Sequence, residues 1–377
     1  MTGKEKIEAA FSADGSPEFA AVIPYEPIYY RDNWDEVTSC PWWYQYEPDI
    51  ERQLEWRAEA AEAIGQDWYR VASCYPANER RNLSIETSME GAFLINSRTG
   101  VRRELVPPRR SGWGDAVASV GHEPLPETEE DVDRLIQPVA LESGPALIAD
   151  GREDLARAAA SGYARDLLPM SHINSPLWSL YGLWGYENLM VLIATRPDLV
   201  KRACTRLFPK VVRRAREDAA LGAQAIWIEE CLTDQISPEA FRELNVPMVS
   251  DLVDAIHELG MKAIYYFCGD PEGKWEHILS VGADALSLEE SKKGFVVDIA
   301  EVAELVNSRC ALLGNLDAIG VLQEGSDEDL KRAIQHQIKA GRANGGRFIA
   351  SLGSPVPPDV PASRVRLYCD LVHELSR

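Results

Sequence analysis

The sequence lacks the features of membrane, secreted and nucleic-acid-binding proteins. Its most apolar window, residues 175–195, contains Glu187, Asn188 and two glycines, so it is more polar than the roughly 20 apolar residues of a membrane span. The first ten residues carry four charged side chains and no apolar run, unlike a signal peptide. Basic residues number 39 against 60 acidic ones, and the net charge of -21 repels phosphate and anionic lipid. We therefore expect a cytoplasmic protein that binds neither nucleic acid nor membrane.

The sequence also lacks the signs of a disulfide framework and of a dinucleotide-binding fold. The seven cysteines are an odd number spread over 377 residues, which favours reduced thiols over a disulfide framework. A Gly-x-Gly-x-x-Gly turn is also absent, so an open doubly wound sheet that binds a dinucleotide lacks its main sign.

From about residue 160 onward the chain repeats a short apolar run, a polar cluster and a segment of helical period. This repeat is typical of alternating strands and helices. Two earlier strands, separated by a helix over 50–64, bring the predicted number to eight. The predicted strands span residues 21–25, 68–72, 166–170, 223–228, 262–267, 285–288, 311–313 and 348–351. The sequence therefore predicts an α/β fold, a TIM (β/α)₈ barrel that forms a single domain over residues 1–377.

An excursion at about 75–140 interrupts the alternation. Residues 92–96 and 101–106 flank a Ser-Arg-Thr-Gly turn, which predicts a β-hairpin inserted in the amino-terminal third.

Polar residues follow most of the predicted barrel strands. Catalytic groups of TIM barrels lie at the carboxyl ends of the strands, so these side chains are expected to meet at one mouth. The residues singled out there are His172, Asn174, Glu229, Glu230, Cys268, Asp270, Glu289, Asn315, Asp317 and Ser354.

Some of these residues have simpler explanations. Strand alternation points one of Glu229 and Glu230 into the barrel and the other toward the helices, and we favour Glu230 as the inward one because it lies nearer the loop. An inward glutamate must be paired, protonated or metal-bound. Cys268 could be a small apolar core residue, and Asp317 could only cap the next helix.

Several segments of residues 160–377 together resemble the uroporphyrinogen decarboxylase superfamily. This resemblance implies a TIM barrel and two chemistries. One is cofactor-free decarboxylation of uroporphyrinogen, and the other is corrinoid-linked methyl transfer in which zinc binds an acceptor thiol through a His-x-Cys motif and a later Cys. The matching segments are residues 175–178, 236–241, 314–317, 349–354 and 357–361.

The resemblance is greater to the corrinoid-linked methyltransferases. A substrate with eight carboxylates needs several guanidinium groups, and the amino-terminal Arg-Gln-Ala-Gly-Arg-Tyr stretch of the decarboxylases has no counterpart beyond Arg31. Cys268-Gly269 stands where the methyltransferases have Cys-Gly, although Tyr266 replaces their histidine and Ser354 their second cysteine. The expected reaction moves a methyl group between a corrinoid, such as methylcobalamin or a corrinoid protein, and a thiol or other small acceptor.

The resemblance also implies zinc, and catalytic zinc usually has three protein ligands. We predict Cys268, Glu230 and His172 as these ligands. Without a metal, Glu230 or Asp317 would act as the general acid or base, with help from Tyr266. The residues expected to bind substrate are His172, Asn174, Trp178, Asp270, Glu289, Asn315 and Ser354.

Two alternatives remain open at this stage. One is a lyase, decarboxylating or otherwise, that acts on a polycarboxylate or an aromatic acid. The other is a barrel that binds a corrinoid or tetrapyrrole without turnover, because Tyr266 and Ser354 occupy expected ligand positions.

Overall fold

Eight parallel strands form a nearly closed barrel in the computed structural model, which describes residues 1–112, 121, 123–291 and 294–377. Their order around the barrel is β1, β11, β10, β9, β8, β7, β6, β2, which confirms the predicted TIM barrel. All strands, numbered along the chain, are β1 (Ala21–Val22), β2 (Trp68–Arg70), β3 (Leu83–Ser88), β4 (Gly91–Asn96), β5 (Val101–Leu105), β6 (Leu168–Asn174), β7 (Ala225–Glu230), β8 (Lys262–Phe267), β9 (Ala285–Leu288), β10 (Ala311–Leu313) and β11 (Phe348–Ser351).

Helices alternate with the barrel strands and surround them. A π-helical turn, Phe241–Asn245, joins two of the helices, and such turns often accompany functional sites. The helices are α1 (Gly3–Phe11), α2 (Glu26–Asp32), α3 (Trp34–Val37), α4 (Ile50–Ile64), α5 (Ala77–Arg80), α6 (Glu129–Leu135), α7 (Gly144–Ile148), α8 (Asp154–Ser161), α9 (Pro176–Thr195), α10 (Pro197–Ala220), α11 (Pro238–Ala240), α12 (Val246–Glu258), α13 (Trp275–Ser280), α14 (Ile299–Val306), α15 (Asp327–Ala343) and α16 (Ala362–Leu375). Within the described residues, no helix is both long enough and apolar enough to cross a bilayer.

The barrel strands are buried on both faces, as is usual for parallel sheets. Alternate residues point into the barrel, where Trp227, Ile264 and Leu313 belong to one interior cluster. Ile7 and Phe11 of α1 belong to the same cluster. Helix α1 therefore closes the amino-terminal end of the barrel and leaves the carboxyl ends of the strands as the mouth.

The barrel wall has a seam between β1 and β2. Strand β1 has two residues, and side-chain atoms supplement its backbone contact with the start of β2. Asp67 donates its N–H to the carbonyl of Ala21 (2.8 Å) and accepts the N–H of Ala21 on Oδ2 (2.7 Å). Gln66 Oε1 accepts the N–H of Ile23 at 3.1 Å.

A small antiparallel sheet in the order β3, β4, β5 interrupts the barrel sequence. Strands β4 and β5 form the predicted hairpin, with Asn96 paired to Val101 across the turn. Strand β3 was not predicted, and its Leu83 and Ile85 pack on one face against the apolar cluster of β4 and β5. Residues 113–120 and 122 of the predicted excursion lie outside the described residues.

Candidate active site

Glu229 and Glu230, at the end of β7, point to opposite faces of the barrel wall. Glu229 Oε2 lies 2.7 Å from His172 Nε2 on β6, and Glu229 Oε1 accepts the hydroxyl hydrogen of Tyr25 at 2.7 Å. Glu230 instead accepts a hydrogen bond from the side-chain amide of Asn245, in the helix layer. The prediction that Glu230 is the inward glutamate is therefore wrong. The interior positions of Ala225 and Trp227 fix the alternation, which places Glu229 in the mouth.

The two glutamates also differ in charge. Burial raises the pKa of Glu229, but the hydrogen bond and charge of His172 and the hydrogen bond from Tyr25 outweigh burial, so the net pKa is lowered. Burial raises the pKa of Glu230 to about 8, against smaller opposing effects of Ser175 and Asn245. At neutral pH, the Glu229 side chain in the mouth is therefore charged, whereas the Glu230 side chain is mainly protonated.

Two thiols lie side by side next to this carboxylate. Cys231 and Cys268 follow the last paired residues of β7 and β8, and their thiols contact each other. Cys231 Sγ donates to Glu229 Oε1 and Cys268 Sγ donates to Glu289 Oε2, each at 3.4 Å. The hydrogen bond with Cys268, followed by burial and the charge of Glu229, raises the pKa of Cys231 well above its usual range. The mouth therefore holds a row of four groups in which the thiols of Cys231 and Cys268 lie between the carboxyl groups of Glu229 and Glu289.

Aromatic rings form the floor below this row. Trp227 and Tyr266 stack with ring centroids 4.5 Å apart, and Tyr25 and His172 each meet Trp227 edge-on. Tyr266 donates its hydroxyl hydrogen to the carbonyl of Gly353 at 2.9 Å, and burial raises its pKa well above the usual value. The floor is therefore apolar and uncharged, and it separates the polar mouth from the barrel core.

Two mouth residues have strained backbones. Tyr25 has φ 55° and Leu232, next to Cys231, has φ 67°, and neither is a glycine. Bulky residues rarely occupy this left-handed region, and such strain is concentrated at functional sites. The conformation of Tyr25 holds its hydroxyl against Glu229, 204 residues away in the chain.

The predicted zinc ligands do not converge. Cys268 and His172 face the mouth, whereas Glu230 lies behind the barrel wall for the reason given above. Among the described residues, three ligand atoms of cysteine, histidine or acidic side chains lie close enough to share a metal ion only at Cys40, Glu55 and Glu59, which are not mouth residues. The donor types at the mouth nevertheless fit zinc, because Cys231 and Cys268 lie together and each thiol contacts a carboxylate.

Other predicted site residues have structural contacts around the mouth. Asn315 donates to the backbone carbonyls of Glu289 (3.3 Å) and Val297 (2.8 Å), so it fixes the loop after β9. Ser354 donates to Glu290 Oε1 at 2.7 Å. These two residues position the loops that carry the acidic side chains.

The contacts of the remaining predicted residues are local. Asp317 accepts the N–H groups of the first turn after it and caps that turn. Asp270 Oδ1 accepts the N–H of Glu272 in a local turn, and the ring of Trp178 stacks on Tyr181 within helix α9. Asn174 is exposed at the end of β6.

Sequence reasoning ranked Glu229 behind Glu230 and did not assign a role to Cys231 or Tyr25. Glu229 and Cys231 share one parity along β7 with Ala225 and Trp227, but the sequence alone does not show which parity faces inward. Nothing local in the sequence identified Tyr25, whose role depends on a long-range contact.

The chain matches a known protein family and several curated proteins. The sequence model of the family described as "Uroporphyrinogen decarboxylase (URO-D)" matches residues 123–375. Among curated proteins, uroporphyrinogen decarboxylase from Tolumonas auensis is 25% identical over 194 residues, which cover 51% of this chain and 52% of that protein. The protein of the same name from Hahella chejuensis is 24% identical over 197 residues, covering 51% of this chain and 52% of that protein. The chain thus spans about half the length of the curated relatives it matches.

One solved structure is similar over the whole length. A methyltransferase from Methanosarcina mazei superposes with a TM-score of 0.66 and 16% sequence identity, with 100% of both chains covered. At this identity the likeness concerns the fold, and it agrees with the barrel described above.

Proposed function

Because the chain belongs to the uroporphyrinogen decarboxylase (URO-D) family, we propose that it transfers a methyl group between a corrinoid, free or carried by a protein, and a thiol or other small acceptor. The observation that supports this proposal is the pair of thiols, Cys231 and Cys268, held between Glu229 and Glu289 at the barrel mouth. Thiol groups bind soft metal ions, and a metal ion held in this way can activate the sulfur of an acceptor thiol.

The charge of the mouth also favours methyl transfer. Glu229, Glu289 and Glu290 are all buried there, at 2%, 3% and 2% exposure. A substrate with many carboxylates would meet groups of its own sign, and like charges at short range are costly in a buried site. The structural neighbour named as a methyltransferase has the same fold along its full length.

The chain's own residues would position the acceptor and move one proton. The Glu229–His172 pair would take the proton of an acceptor thiol as its sulfur bonds to the methyl carbon, while the corrinoid keeps the electron pair of the broken bond. The stacked rings of Trp227 and Tyr266 would exclude water from the side of the site that faces the barrel core. Zinc, if bound, would be held by Cys231 and Cys268 with a neighbouring carboxylate, and would lower the pKa of a bound thiol.

A direct assay tests this proposal. The purified protein is mixed with methylcobalamin and a panel of small thiols, and demethylation is followed by absorbance and by mass spectrometry of the methylated thiol. Cys231→Ser and Cys268→Ser should each lose most of the activity. Cys204→Ser, at a fully buried cysteine of helix α10, should keep it. Equal activity of all three variants would contradict the assignment of the thiols.

A second candidate is a decarboxylase-like lyase, favoured by the hydrogen-bonded chain of Tyr25, Glu229 and His172. Such a chain can deliver a proton to the carbon that loses carbon dioxide. The curated relatives carry a decarboxylase name. Conversion of uroporphyrinogen by the wild-type protein, with no demethylation of methylcobalamin, would favour this candidate over methyl transfer.

A further inference from the structure

A second cavity lies beside the mouth, between helices α2 and α4 and strand β2. Its volume is about 320 Å³, within the range of small-molecule sites and near its lower end. The size suits a compound with a single ring. Aromatic side chains dominate its walls, namely Tyr30, Trp34, Trp56, Trp68, Tyr69 and Tyr163.

Neither Arg57 nor Arg70, which both line this cavity, forms a close ion pair with a described residue. No ion pair or side-chain hydrogen bond joins the guanidinium of Arg70 to any residue in the described part of the chain, and the group lines the cavity. Arg57 makes one hydrogen bond, to Gln53 Oε1 at 3.2 Å, and its Nε is buried without a partner among the described residues. Buried guanidinium groups normally find an anion, because desolvating a charge is costly.

The nearby carboxyl group of Glu26 is hydrogen-bonded to groups other than the two guanidinium groups. Glu26 accepts the backbone N–H of Arg70 at 2.8 Å and the side-chain amide of Gln66 at 3.1 Å. Burial raises the pKa of Glu26, against smaller opposing effects of its hydrogen bonds and of the charges of Arg70 and Arg57. Arg31, which also lines the cavity, is paired with Asp32 at 2.8 Å. In a chain of net charge -21, the lining of this cavity thus contains three arginines and a single acidic residue, Glu26.

The cavity borders the candidate active site and shares lining residues with a narrow space beside it. A narrow space of about 20 Å³ beside Tyr25, His172 and Trp227 shares four lining residues with it, including Trp68 and Arg70. The shared residues lie near the seam between β1 and β2. Because Arg70 lines both spaces, a carboxylate held by Arg70 would lie at the end of the cavity nearest the Tyr25–Glu229–His172 chain.

We propose that this cavity binds a planar monocarboxylate of one ring, such as an aromatic acid, with its carboxylate on Arg57 and Arg70 and its ring among the aromatic walls. A guanidinium binds a carboxylate through paired charge-assisted hydrogen bonds, and rings stack on tryptophan and tyrosine faces. The further identification of this compound as the small methyl-transfer substrate rests on the proposed function, whereas binding itself does not.

Binding is tested without any methyl donor, so its outcome is independent of the reaction. Titration calorimetry of the wild-type protein with benzoate is compared with benzamide, which has the same shape and no charge. Benzoate should bind at least tenfold more tightly, as expected when a charged hydrogen-bonded partner is lost. Equal affinity for both compounds, or no binding of benzoate at millimolar concentration, would overturn the proposal.

Variants locate the bound carboxylate. Arg70→Gln and Arg57→Gln should each weaken benzoate binding about tenfold, whereas Arg31→Gln, at a guanidinium already paired with Asp32, should change it less than twofold. Thermal unfolding checks that each variant is folded. The comparison of benzoate with benzamide uses the wild-type protein alone, so it remains a test even if a variant does not fold. Benzoate affinity that is unchanged in both Arg70→Gln and Arg57→Gln would place the ligand elsewhere and refute this site.

Discussion

The carboxylate of Glu229 accepts hydrogen bonds from opposite sides, from the hydroxyl of Tyr25 and, at 2.7 Å, from the imidazole of His172. These contacts tie the segment after β1 to β6 and β7, so one side chain joins three parts of the barrel wall. They also hold Glu229 in its charged form despite burial.

Glu229→Gln should lower the turnover rate at least a hundredfold, because it removes the charged partner that orients His172 and accepts protons. Glu230→Gln provides the matched control, since its side chain faces Asn245 in the helix layer. That control should retain activity within a few-fold at pH 7, where Glu230 is mainly protonated. Steady-state kinetics measure both effects, and a larger loss in Glu230→Gln would reverse our assignment.

Glu230 should give the protein a pH-dependent stability. Its pKa is about 8 in the folded state and about 4.5 in the unfolded chain, so between these values the folded state binds the extra proton. The free energy of unfolding should therefore fall as pH rises from about 4.5 to 8, by up to about 1.4 kcal/mol per pH unit from this group.

Urea unfolding between pH 5 and pH 8 measures this slope, which Glu230→Gln should remove. Glu243→Gln, at an exposed residue of the nearby π-helical turn, should follow the wild-type curve. Parallel curves for Glu230→Gln and wild type would show that Glu230 titrates normally.

The thiol pair should determine the metal content. Protein dialysed against zinc and then freed of excess metal should retain about one zinc ion per chain, and Cys231→Ser or Cys268→Ser should retain far less. Cys369→Ser, at a buried cysteine of helix α16, should behave like wild type. Elemental analysis measures the difference. Full retention in both mouth variants would exclude these thiols as ligands.

Gly353→Ala should disturb the mouth. An added Cβ would lie 2.3 Å from the backbone nitrogen of Glu290, closer than any real contact. We expect lower stability and a shift of Glu290 and Tyr266, whose hydroxyl hydrogen bonds to the Gly353 carbonyl. Gly182→Ala, in helix α9 with open space around it, should be neutral or stabilising. Thermal unfolding of the two variants compares them, and equal unfolding temperatures would contradict the expected clash.

Ile7→Ala should cost about 3 kcal/mol of stability and leave the reaction intact. Ile7 is fully buried at the amino-terminal end of the barrel, so its truncation leaves a cavity in the core. Urea unfolding measures the loss, and kinetics on the folded variant check that the mouth is unaffected. A loss of activity in fully folded Ile7→Ala would show that the two ends of the barrel are coupled.

The barrel could be predicted from sequence because its strands are short apolar runs with clear ends. The bounds of β8, β9, β10 and β11 agree with the predicted ranges, and placing His172 and Cys268 at the mouth follows from the position of strand ends alone. The parity of β7 could not be predicted, because both faces of a parallel strand are buried and equally apolar. Ile226 and Ile228 look no different in sequence from their inward neighbours.

The contacts between distant segments were also beyond prediction. Tyr25 reaches Glu229 only once the barrel closes, and the π-helical turn that carries Asn245 to Glu230 has no marked sequence signal. The predicted ligand set of Cys268, Glu230 and His172 was wrong in Glu230, because that choice depended on which face each glutamate occupies.

The alternation of β7 limits how this protein can change in evolution. A single-residue insertion or deletion within Ala225–Glu230 would turn Glu230 toward the mouth and Glu229 toward the helix layer, and would turn Ile226 and Ile228 into the barrel. Both the reactive centre and the packing of the helix layer would be lost in one step. Length variation is therefore expected in the loops that follow the strand and not within the strand itself.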